Sequence, residues 1–488
     1  MKQHYSISPI QLNYLIVASE SGRVFGFFLS VATVDFLPPS LILSIGLIFR
    51  FIGHGEQYLC MTFHVDLSYW QVLLLNFLAG NSFSWINTYG SLLASKNFKN
   101  DGMSHIFPMA SSFSWLTGKI YSSLIESIQG KELDLQGQKY CHTHMLFNCI
   151  APTMIGAAIQ LIFMFAKDGD EEIDMVPIIL ILIGSGLYIA FESLMPPLTR
   201  MPPQLRLVIM VLVIVLPLVT TIAIASEIKV LKKYLNSNSK CDEVKEVAPD
   251  QEKVIDIISY NYNEEEINKS SLVNGDEKGI ALLSVEFWLL YLVNACGATL
   301  GVGFMNNLRH ICVSYGDCEQ DSILQAIPTT FGFFGSILSA IFIWRTRENA
   351  ISSKPSTMSA ILLLLMIPMP VAFFLLIVNS GSPICFYIST AIIGTCAGAM
   401  SCMTTPTISQ MFGPEYSVIS QTIFLTNYPI GTLIFGYLAA VNQEPNGVVS
   451  NRDYTRNFVF WELISLVGTI SSFCLFLRIR LASRRNTN

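Results

Sequence analysis

Long apolar runs recur along the whole chain, separated by short polar segments. Each run has about 20 residues, which is the length that a helix needs to cross a bilayer. The runs lack the polar and apolar alternation of a membrane β-barrel strand. The pattern therefore predicts about thirteen transmembrane helices. Their approximate ranges are 11–33, 40–63, 70–95, 103–127, 144–166, 175–195, 206–227, 285–305, 323–344, 358–378, 384–405, 418–441 and 457–479.

One long polar segment interrupts this pattern. Residues 229–283 are charged, poor in aromatic side chains and rich in Asn, Ser, Glu and Lys. Such a segment cannot bury enough apolar surface to offset its ordering entropy, so we interpret it as a disordered cytoplasmic linker. The predicted domains are a bundle at 1–166, an extra helix pair at 167–228, the linker at 229–283, a six-helix bundle at 284–480 and a basic cytoplasmic tail at 481–488.

Composition supports an all-α polytopic membrane protein. Hydrophobic residues make up 52% of the 488 residues and charged residues only 13%, with a mean hydropathy of +0.50. A soluble domain needs roughly a quarter of its residues charged to cover its surface. The net charge of −6 and the lack of a basic domain argue against a nucleic-acid partner. The bilayer itself is the expected partner.

Basic residues concentrate in one set of the predicted loops and in the C-terminal tail. Such an excess marks the cytoplasmic side of a membrane protein. We therefore expect a cytoplasmic C-terminus, while the choice between plasma membrane and endomembrane stays open. The residues concerned are Lys96, Lys99, Lys229, Lys232, Lys233, Arg345, Arg347, Lys354, Arg478, Arg480, Arg484 and Arg485.

Ionisable residues inside the spans concentrate in the first half. Glu20 and Arg23 lie three residues apart on one helix face, which predicts a buried ion pair, and Gly22 and Gly26 permit close helix approach. A packing pair and a functional pair are both consistent with this pattern, because a buried ion pair alone proves little.

The second span carries the densest set of polar groups. Arg50 and His54 lie four residues apart, and Glu56 and Gln57 follow. An Arg facing lipid would be costly, so these side chains should face the bundle interior. They are candidate solute ligands, with an Arg held by a neighbouring carboxylate for packing as the other interpretation. His54 or Glu56 could carry a coupled proton.

Amides and an indole add candidates in both halves. Asn81, Trp85 and Asn87 lie on the third span, where a solute or helix-to-helix hydrogen bonding could satisfy them. Asn306, Asn307 and Asn427 are the candidates after the linker. Pro429 and Gly431 follow Asn427 and form a predicted hinge, because a proline frees a backbone carbonyl. A plain kink is the other interpretation.

No enzyme motif accompanies these residues. The sequence has no G-x-x-x-x-G-K-[ST] phosphate loop and no H-E-x-x-H zinc motif. We therefore expect no enzyme, no cofactor and no metal site.

The third span carries a G-N-S-x-x-W-x-N-T pattern, followed by a basic residue and N-F. The residues are Gly80, Asn81, Ser82, Trp85, Asn87 and Thr88, then Lys96, Asn97 and Phe98. These motifs resemble those of the plant nodulin-like, nuclear-fusion-defective-type group of the major facilitator superfamily. The segments "QLNYLIVASESGRVFGF" and "FMNNLRHICVSYG" also resemble it. The resemblance implies a two-bundle major facilitator fold with two extra central helices, and a presumed secondary transporter. Gln410 departs from the family by replacing an acid.

The leading expectation is a secondary active transporter that carries a small solute by alternating access and is coupled to an ion. Arg50 favours an anionic solute, and a proton is the expected coupling ion. The alternative is a non-transporting multi-pass membrane protein with a regulatory or membrane-fusion-related role.

The start of the chain adds a further expectation. Ser8, Pro9 and Gln11 are suited to the N-cap, first and third positions of a helix. Met1–Ile7 would then be an outer loop, and the first helix of the fold would be absent from the chain. The unequal span counts of the two halves support the same expectation.

Overall fold

The computed structural model describes the chain in separate ranges, and every described element is a helix or a helical turn. The ranges are 8–63, 67–97, 112–118, 176–194, 284–314, 321–348, 355–378, 383–412, 417–438 and 451–485, with the single positions 120, 124, 205, 208, 209, 211 and 212. Residues 1–7 and 229–283, all of the predicted span 144–166 and most of the predicted spans 103–127 and 206–227 lie outside the described residues. The domain boundaries and the total span count therefore stay predictions.

The first half contributes four described helices and one short turn. They are α1 (Pro9–Ala32), α2 (Pro39–Arg50), α3 (Glu56–Thr62) and α4 (Tyr69–Asn97), with a 3₁₀ turn at Phe113–Trp115. Helix α5 (Val176–Leu194) falls in the predicted extra pair.

The second half contributes nine described helices. They are α6 (Val285–Asn294), α7 (Leu300–Ser314), α8 (Asp321–Glu348), α9 (Pro355–Met366), α10 (Pro368–Val378), α11 (Pro383–Phe412), α12 (Ser417–Leu425), α13 (Asn427–Gly431) and α14 (Asn451–Arg485).

Six described segments are long and apolar enough to cross a membrane, and each coincides with a predicted span. They are Ile10–Ala32, Val285–Leu308, Ala326–Ile343, Pro355–Val378, Ile384–Phe412 and Thr455–Arg484.

The start of α1 is capped as its sequence predicts. The Gln11 backbone N–H donates to Ser8 Oγ at 3.2 Å, and the Ser8 backbone N–H donates to Gln11 Oε1 at 2.9 Å. Pro9 occupies the first helical turn, where its missing N–H costs nothing. The helix therefore begins at the predicted residue.

Helices α2 and α3 are joined by a π-helical turn at Phe51–Gly55, where one uninterrupted α-helix was predicted. Gly53 lies within this turn, and a Cβ there would lie 2.7 Å from the Ala79 backbone nitrogen of α4. A π turn adds a residue to the helical repeat. Arg50 and His54 were placed on one helix face by the spacing of an α-helix. That spacing does not apply within the π turn, which includes His54.

Glycines bring α1 into backbone contact with α4. A Cβ at Gly26 would lie 2.6 Å from the Asn81 carbonyl oxygen, and a Cβ at Gly80 would overlap the Ser19 carbonyl oxygen. In lipid, the burial of apolar side chains gives no net driving force for helix association. Close approach of the backbones stabilises the helix pair through van der Waals packing instead.

Helices α8 and α11 repeat this arrangement in the second half. A Cβ at Gly394 would lie 2.5 Å from the Pro328 carbonyl oxygen, and a Cβ at Gly335 would overlap the Thr395 carbonyl oxygen. Pro328 and Gly335 are seven residues apart on α8, as Ser19 and Gly26 are on α1. Gly394 and Thr395 are adjacent on α11, as Gly80 and Asn81 are on α4. We therefore treat α1 with α4, and α8 with α11, as equivalent pairs of an internal repeat.

The two halves meet through these paired helices. Helix α1 packs against α12, α13 and the π turn Thr432–Gly436 that follows α13, whereas α8 packs against the turn Phe113–Trp115. The interface is tight at Gly436, where a Cβ would overlap the side-chain oxygen of Asn13. Helix α1 of the first half and helix α8 of the second half therefore both lie at the interface between the two bundles.

Replacement of Gly80 by Ala should destabilise the protein, because the added methyl group meets the Ser19 backbone and not a flexible side chain. We expect a loss of about 1–3 kcal/mol, typical of overpacking. The loss of stability is measured as a lower thermal unfolding midpoint of the purified variant than of the parent protein, in the same detergent.

Gly90→Ala is the matched control on the same helix. Among the described residues, no atom lies within 4 Å of a Cβ at Gly90, so this change should be neutral or stabilise by up to about 1 kcal/mol through helix propensity. Equal midpoints for the two variants would contradict the packing role assigned to Gly80.

Candidate functional site

A charged and aromatic cluster lies where α1 and α4 face α13. We call it the Arg23 cluster, formed by Glu20, Arg23, Phe83 and Tyr428. Arg23 Nη1 lies 3.5 Å from Glu20 Oε2. The guanidinium carbon lies 4.7 Å from the Phe83 ring centroid and 5.5 Å from the Tyr428 ring centroid. Both distances lie within the range of cation–π attraction.

The Glu20–Arg23 pair was expected to be buried, and the structure leaves it partly open. The Arg23 and Glu20 side chains retain 33% and 24% of their accessible surface. The guanidinium has five N–H donors, and one carboxylate oxygen at 3.5 Å uses only part of that capacity. Arg23 can therefore accept a further anionic partner without the pair being broken first.

The first-half side of the cluster is held by backbone contacts. Ser84 Oγ donates to the Arg23 carbonyl oxygen at 2.6 Å. Gly22 and Gly26, on either side of Arg23, bring α1 against α4. This hydrogen bond joins Arg23 to Ser84, and Phe83 is the residue next to Ser84, so Arg23 and Phe83 are held close together on neighbouring helices.

The second-half side is fixed by polar contacts between α6 and the segment that carries Tyr428. The buried Asn427 side chain donates through Nδ2 to the Tyr291 carbonyl oxygen at 3.2 Å. Tyr291 Oη and Thr426 Oγ1 lie 2.9 Å apart and share a hydrogen bond. Asn427, predicted as a solute ligand, thus positions its neighbour Tyr428.

The helix break beside Tyr428 lies at Thr426, between α12 and α13. This is three residues before Pro429, the predicted hinge residue. A Cβ at Gly431 would overlap the Thr299 side chain, so this glycine packs closely against the π turn Ala295–Thr299 of the second half. A hinge motion here stays a prediction.

The internal repeat explains why Phe83 is available to this cluster. The equivalent residue on α11 is Ala397, which packs against Gly301 and is fully buried. Phe83 retains 38% of its surface. The face of α4 that carries Phe83 is therefore open, whereas its second-half counterpart is covered.

Asn81 and Trp85 are both buried and bonded to each other. Trp85 Nε1 donates to Asn81 Oδ1 at 2.8 Å. Asn81 also lies against Gly26 of α1. Asn81 and Trp85 were interpreted either as solute ligands or as residues that bond helices together. Their mutual hydrogen bond and their burial favour the packing role. Asn87, the third predicted ligand on α4, is exposed.

The predicted ligands on the second span do not share one environment. Arg50 and His54 are partly buried, Glu56 is exposed and Gln57 is 2% exposed. Among the described residues, Gln57 Nε2 and Oε1 have no hydrogen-bond partner. The α2–α3 helix packs mainly against α4, while α1 makes the extensive contacts with the second half.

Asn306 and Asn307 lie in the middle of α7 and differ in exposure. Asn306 is exposed, and Asn307 Nδ2 donates to the Gly303 carbonyl oxygen of the same helix at 2.8 Å. The structure thus gives Asn307 a local partner.

Two members of the cluster were missed as solute-site residues from the sequence. Phe83 and Tyr428 are aromatic residues within apolar spans, where aromatic packing is the usual role. Their contact with Arg23 depends on a pairing of helices that are far apart along the chain. Spacing along one helix gives no signal of such a contact.

Comparison with known proteins agrees with this architecture. The Nodulin-like family model matches residues 1–225, and the NFD4 C-terminal domain model matches residues 273–483. The Arabidopsis thaliana Protein NUCLEAR FUSION DEFECTIVE 4 is 28% identical over 507 aligned residues, which cover 98% of this chain and 84% of that protein.

Two solved structures share the fold at low sequence identity. The major facilitator superfamily proton:xylose symporter XylE has a TM-score of 0.53 and 10% identity, covering 96% of this chain and 88% of that one. A bacterial homologue of the human drug peptide transporters PepT1 and PepT2 has a TM-score of 0.50 and 14% identity, covering 98% and 92%. The two family models together match most of the chain and place it in the nodulin-like, nuclear-fusion-defective-type family, and the two solved structures show that it has the major facilitator fold.

Proposed function

We propose that this protein is a secondary active transporter that moves a small carboxylate-bearing solute by alternating access, coupled to an ion. The observation that carries the proposal is the Arg23 cluster, which joins the two bundles of a major facilitator fold. Ionisable residues inside a membrane are costly and mark solute or ion paths. A cluster that contacts both bundles is suited to respond when they move apart.

The chemistry of the cluster supports a carboxylate as the recognised group. A guanidinium binds a carboxylate through two parallel N–H···O hydrogen bonds. Phe83 and Tyr428 place aromatic surface beside Arg23, which suits a solute with an apolar portion. Glu20 would hold Arg23 when solute is absent, and the solute carboxylate would share or replace that contact.

The residues of the α2–α3 helix form a second candidate solute site in the same function. Arg50, His54 and Glu56 supply charge or protons, and the buried Gln57 amide is a group that a polar solute or water could satisfy. We place this site second, because the Arg23 cluster contacts both bundles. No observation favours a non-transporting role in regulation or membrane fusion.

We also propose that the C-terminus is cytoplasmic. The last turns of α14 carry Arg478, Arg480 and Arg484, and an excess of basic residues marks that side. A fluorescent protein fused to the C-terminus should be protected from added protease in intact cells and digested once the plasma membrane alone is permeabilised, whichever membrane holds the protein.

Arg23→Gln should reduce solute uptake strongly. Loss of a charge-assisted hydrogen bond costs about 1.5–3 kcal/mol, equal to about a 10- to 150-fold rise in KM. Arg23→Lys should retain part of the uptake, because it keeps the charge but loses the planar fork. The measurement is uptake of radiolabelled acetate, malate, citrate and glutamate into proteoliposomes with an alkaline interior.

Arg456→Gln is the control for this experiment, because Arg456 is exposed on α14 and is no part of the cluster. It should behave as the parent. A parent protein that moves none of the four carboxylates would contradict the proposed solute class. Unchanged KM and rate in Arg23→Gln would remove Arg23 from the site.

Arg50→Ala should raise the KM less than Arg23→Gln does, because the α2–α3 helix packs mainly against α4. The same uptake assay compares the two variants at equal protein amounts. A larger effect for Arg50→Ala would move the solute site to the second span.

A further inference from the structure

Helix α14 has one continuous exposed stripe along its length, which we call the α14 stripe. Its members recur every three or four residues, as the residues of one helix face do. Six of them are apolar side chains that are 40–62% exposed: Leu463, Leu466, Ile470, Phe473, Leu477 and Leu481. The helix packs against α6, α9 and α10, on the side away from these residues. The α14 stripe therefore faces the hydrocarbon of the bilayer.

Two arginines join this stripe at its C-terminal end. Arg480 and Arg484 lie three and seven residues after Leu477, and both are exposed. Residues with that spacing share a helix face. The buried residues Leu475 and Ile479 mark the opposite face. Both arginines therefore lie on the side of α14 that faces the surrounding lipid, and not on the side that faces the bundle.

The length of the stripe places the arginines at the level of the lipid headgroups. The exposed Val459 and Leu477 are separated by about 27 Å along the helix axis, and the hydrocarbon core of a bilayer is about 30 Å thick. Arg480 and Arg484 lie about 5 and 10 Å further along the axis. The headgroup region adds roughly 5–8 Å on each side. Arg480 therefore falls within the headgroup region, and Arg484 falls at its outer edge.

Arg478 and Arg480 make different contacts. Arg478 Nε donates to Glu286 Oε1 at 2.7 Å, which joins the end of α14 to the first turn of α6 and partly neutralises the charge of Arg478. The guanidinium carbon of Arg480 lies 5.7 Å from the Phe476 ring centroid. A ring contact uses the face of a guanidinium, so the N–H donors at its edge stay available for an anionic ligand.

We propose that Arg480 and Arg484 bind the phosphate headgroup of an anionic phospholipid, whose acyl chains lie against Leu477 and Leu481. A guanidinium binds phosphate oxygens through paired N–H···O hydrogen bonds. The cytoplasmic leaflet is the one rich in anionic lipid, which agrees with the cytoplasmic C-terminus proposed above. A free phosphate ion would contact only the arginines, whereas a phospholipid also covers the exposed leucines. This site is separate from the Arg23 cluster and does not depend on transport.

Native mass spectrometry of the purified full-length protein tests the proposal, with an equimolar mixture of phosphatidylserine and phosphatidylcholine as the probe. We expect the parent protein to retain phosphatidylserine in excess. A basic residue near an anionic membrane surface contributes about a fivefold preference. Arg480→Gln should therefore lower the ratio of retained phosphatidylserine to phosphatidylcholine about fivefold, and Arg480→Gln with Arg484→Gln should lower it further. Arg480→Lys should keep part of the preference, because it keeps the charge but loses the planar fork.

Arg456→Gln is the matched control, because Arg456 is also exposed but lies near the other end of α14. It should leave the lipid ratio unchanged. Equal ratios for the parent and the double variant would overturn the proposal. An equal loss in Arg456→Gln and Arg480→Gln would overturn it as well, because the preference would then follow net charge and not this site.

Glycerophosphoserine separates binding of a lipid from binding of a phosphate group, because it has the same headgroup without acyl chains. An excess of it should not displace bound phosphatidylserine from the parent protein. Displacement would overturn the role assigned to Leu477 and Leu481. These measurements need no solute, so a protein that transports none of the tested carboxylates would leave their outcome unaffected.

Discussion

The close backbone contact between α1 and α4 is the constraint on which the proposed site depends. In lipid, apolar side chains gain little by leaving the solvent for a neighbouring helix, so association depends on packing and on hydrogen bonds between helices. Gly22, Gly26 and Gly80 provide that packing. The Ser84–Arg23 hydrogen bond then fixes the register, which places Arg23 beside Phe83.

The same contact recurs between α8 and α11 with different side chains. Gly332 takes the position of Arg23 in the repeat, and Gly398 takes that of Ser84. The second half therefore packs these two helices without a charge, whereas the first half keeps a guanidinium at the equivalent place. Packing alone does not require an arginine here, since the equivalent pair packs without one. This asymmetry supports the proposed binding role of Arg23.

Local features of the chain could be predicted from the sequence because they depend on neighbours. The cap at Ser8 and the Glu20–Arg23 spacing follow from residues within one turn of each other, and each of the six described spans follows from one continuous apolar run. The π turn at Phe51–Gly55 could not be predicted, because it depends on how Gly53 meets Ala79 of another helix. The Arg23–Tyr428 contact was missed for the same reason.

A buried polar side chain needs a hydrogen-bond partner. The nature of that partner distinguishes a residue that packs helices together from a candidate solute ligand. Asn81 has the indole of Trp85, and Asn427 has a backbone carbonyl, so each amide has a protein partner. Arg23 is different, because its contacts with Glu20 and two rings leave a third of its surface open. Arg23 is a partly exposed, charged donor, so it can bind an anion. It also contacts Tyr428 of the other bundle, so its surroundings would change when the bundles move relative to each other. Solute binding at Arg23 would then favour the arrangement in which α1 and α13 lie together, which is the differential affinity that alternating access requires.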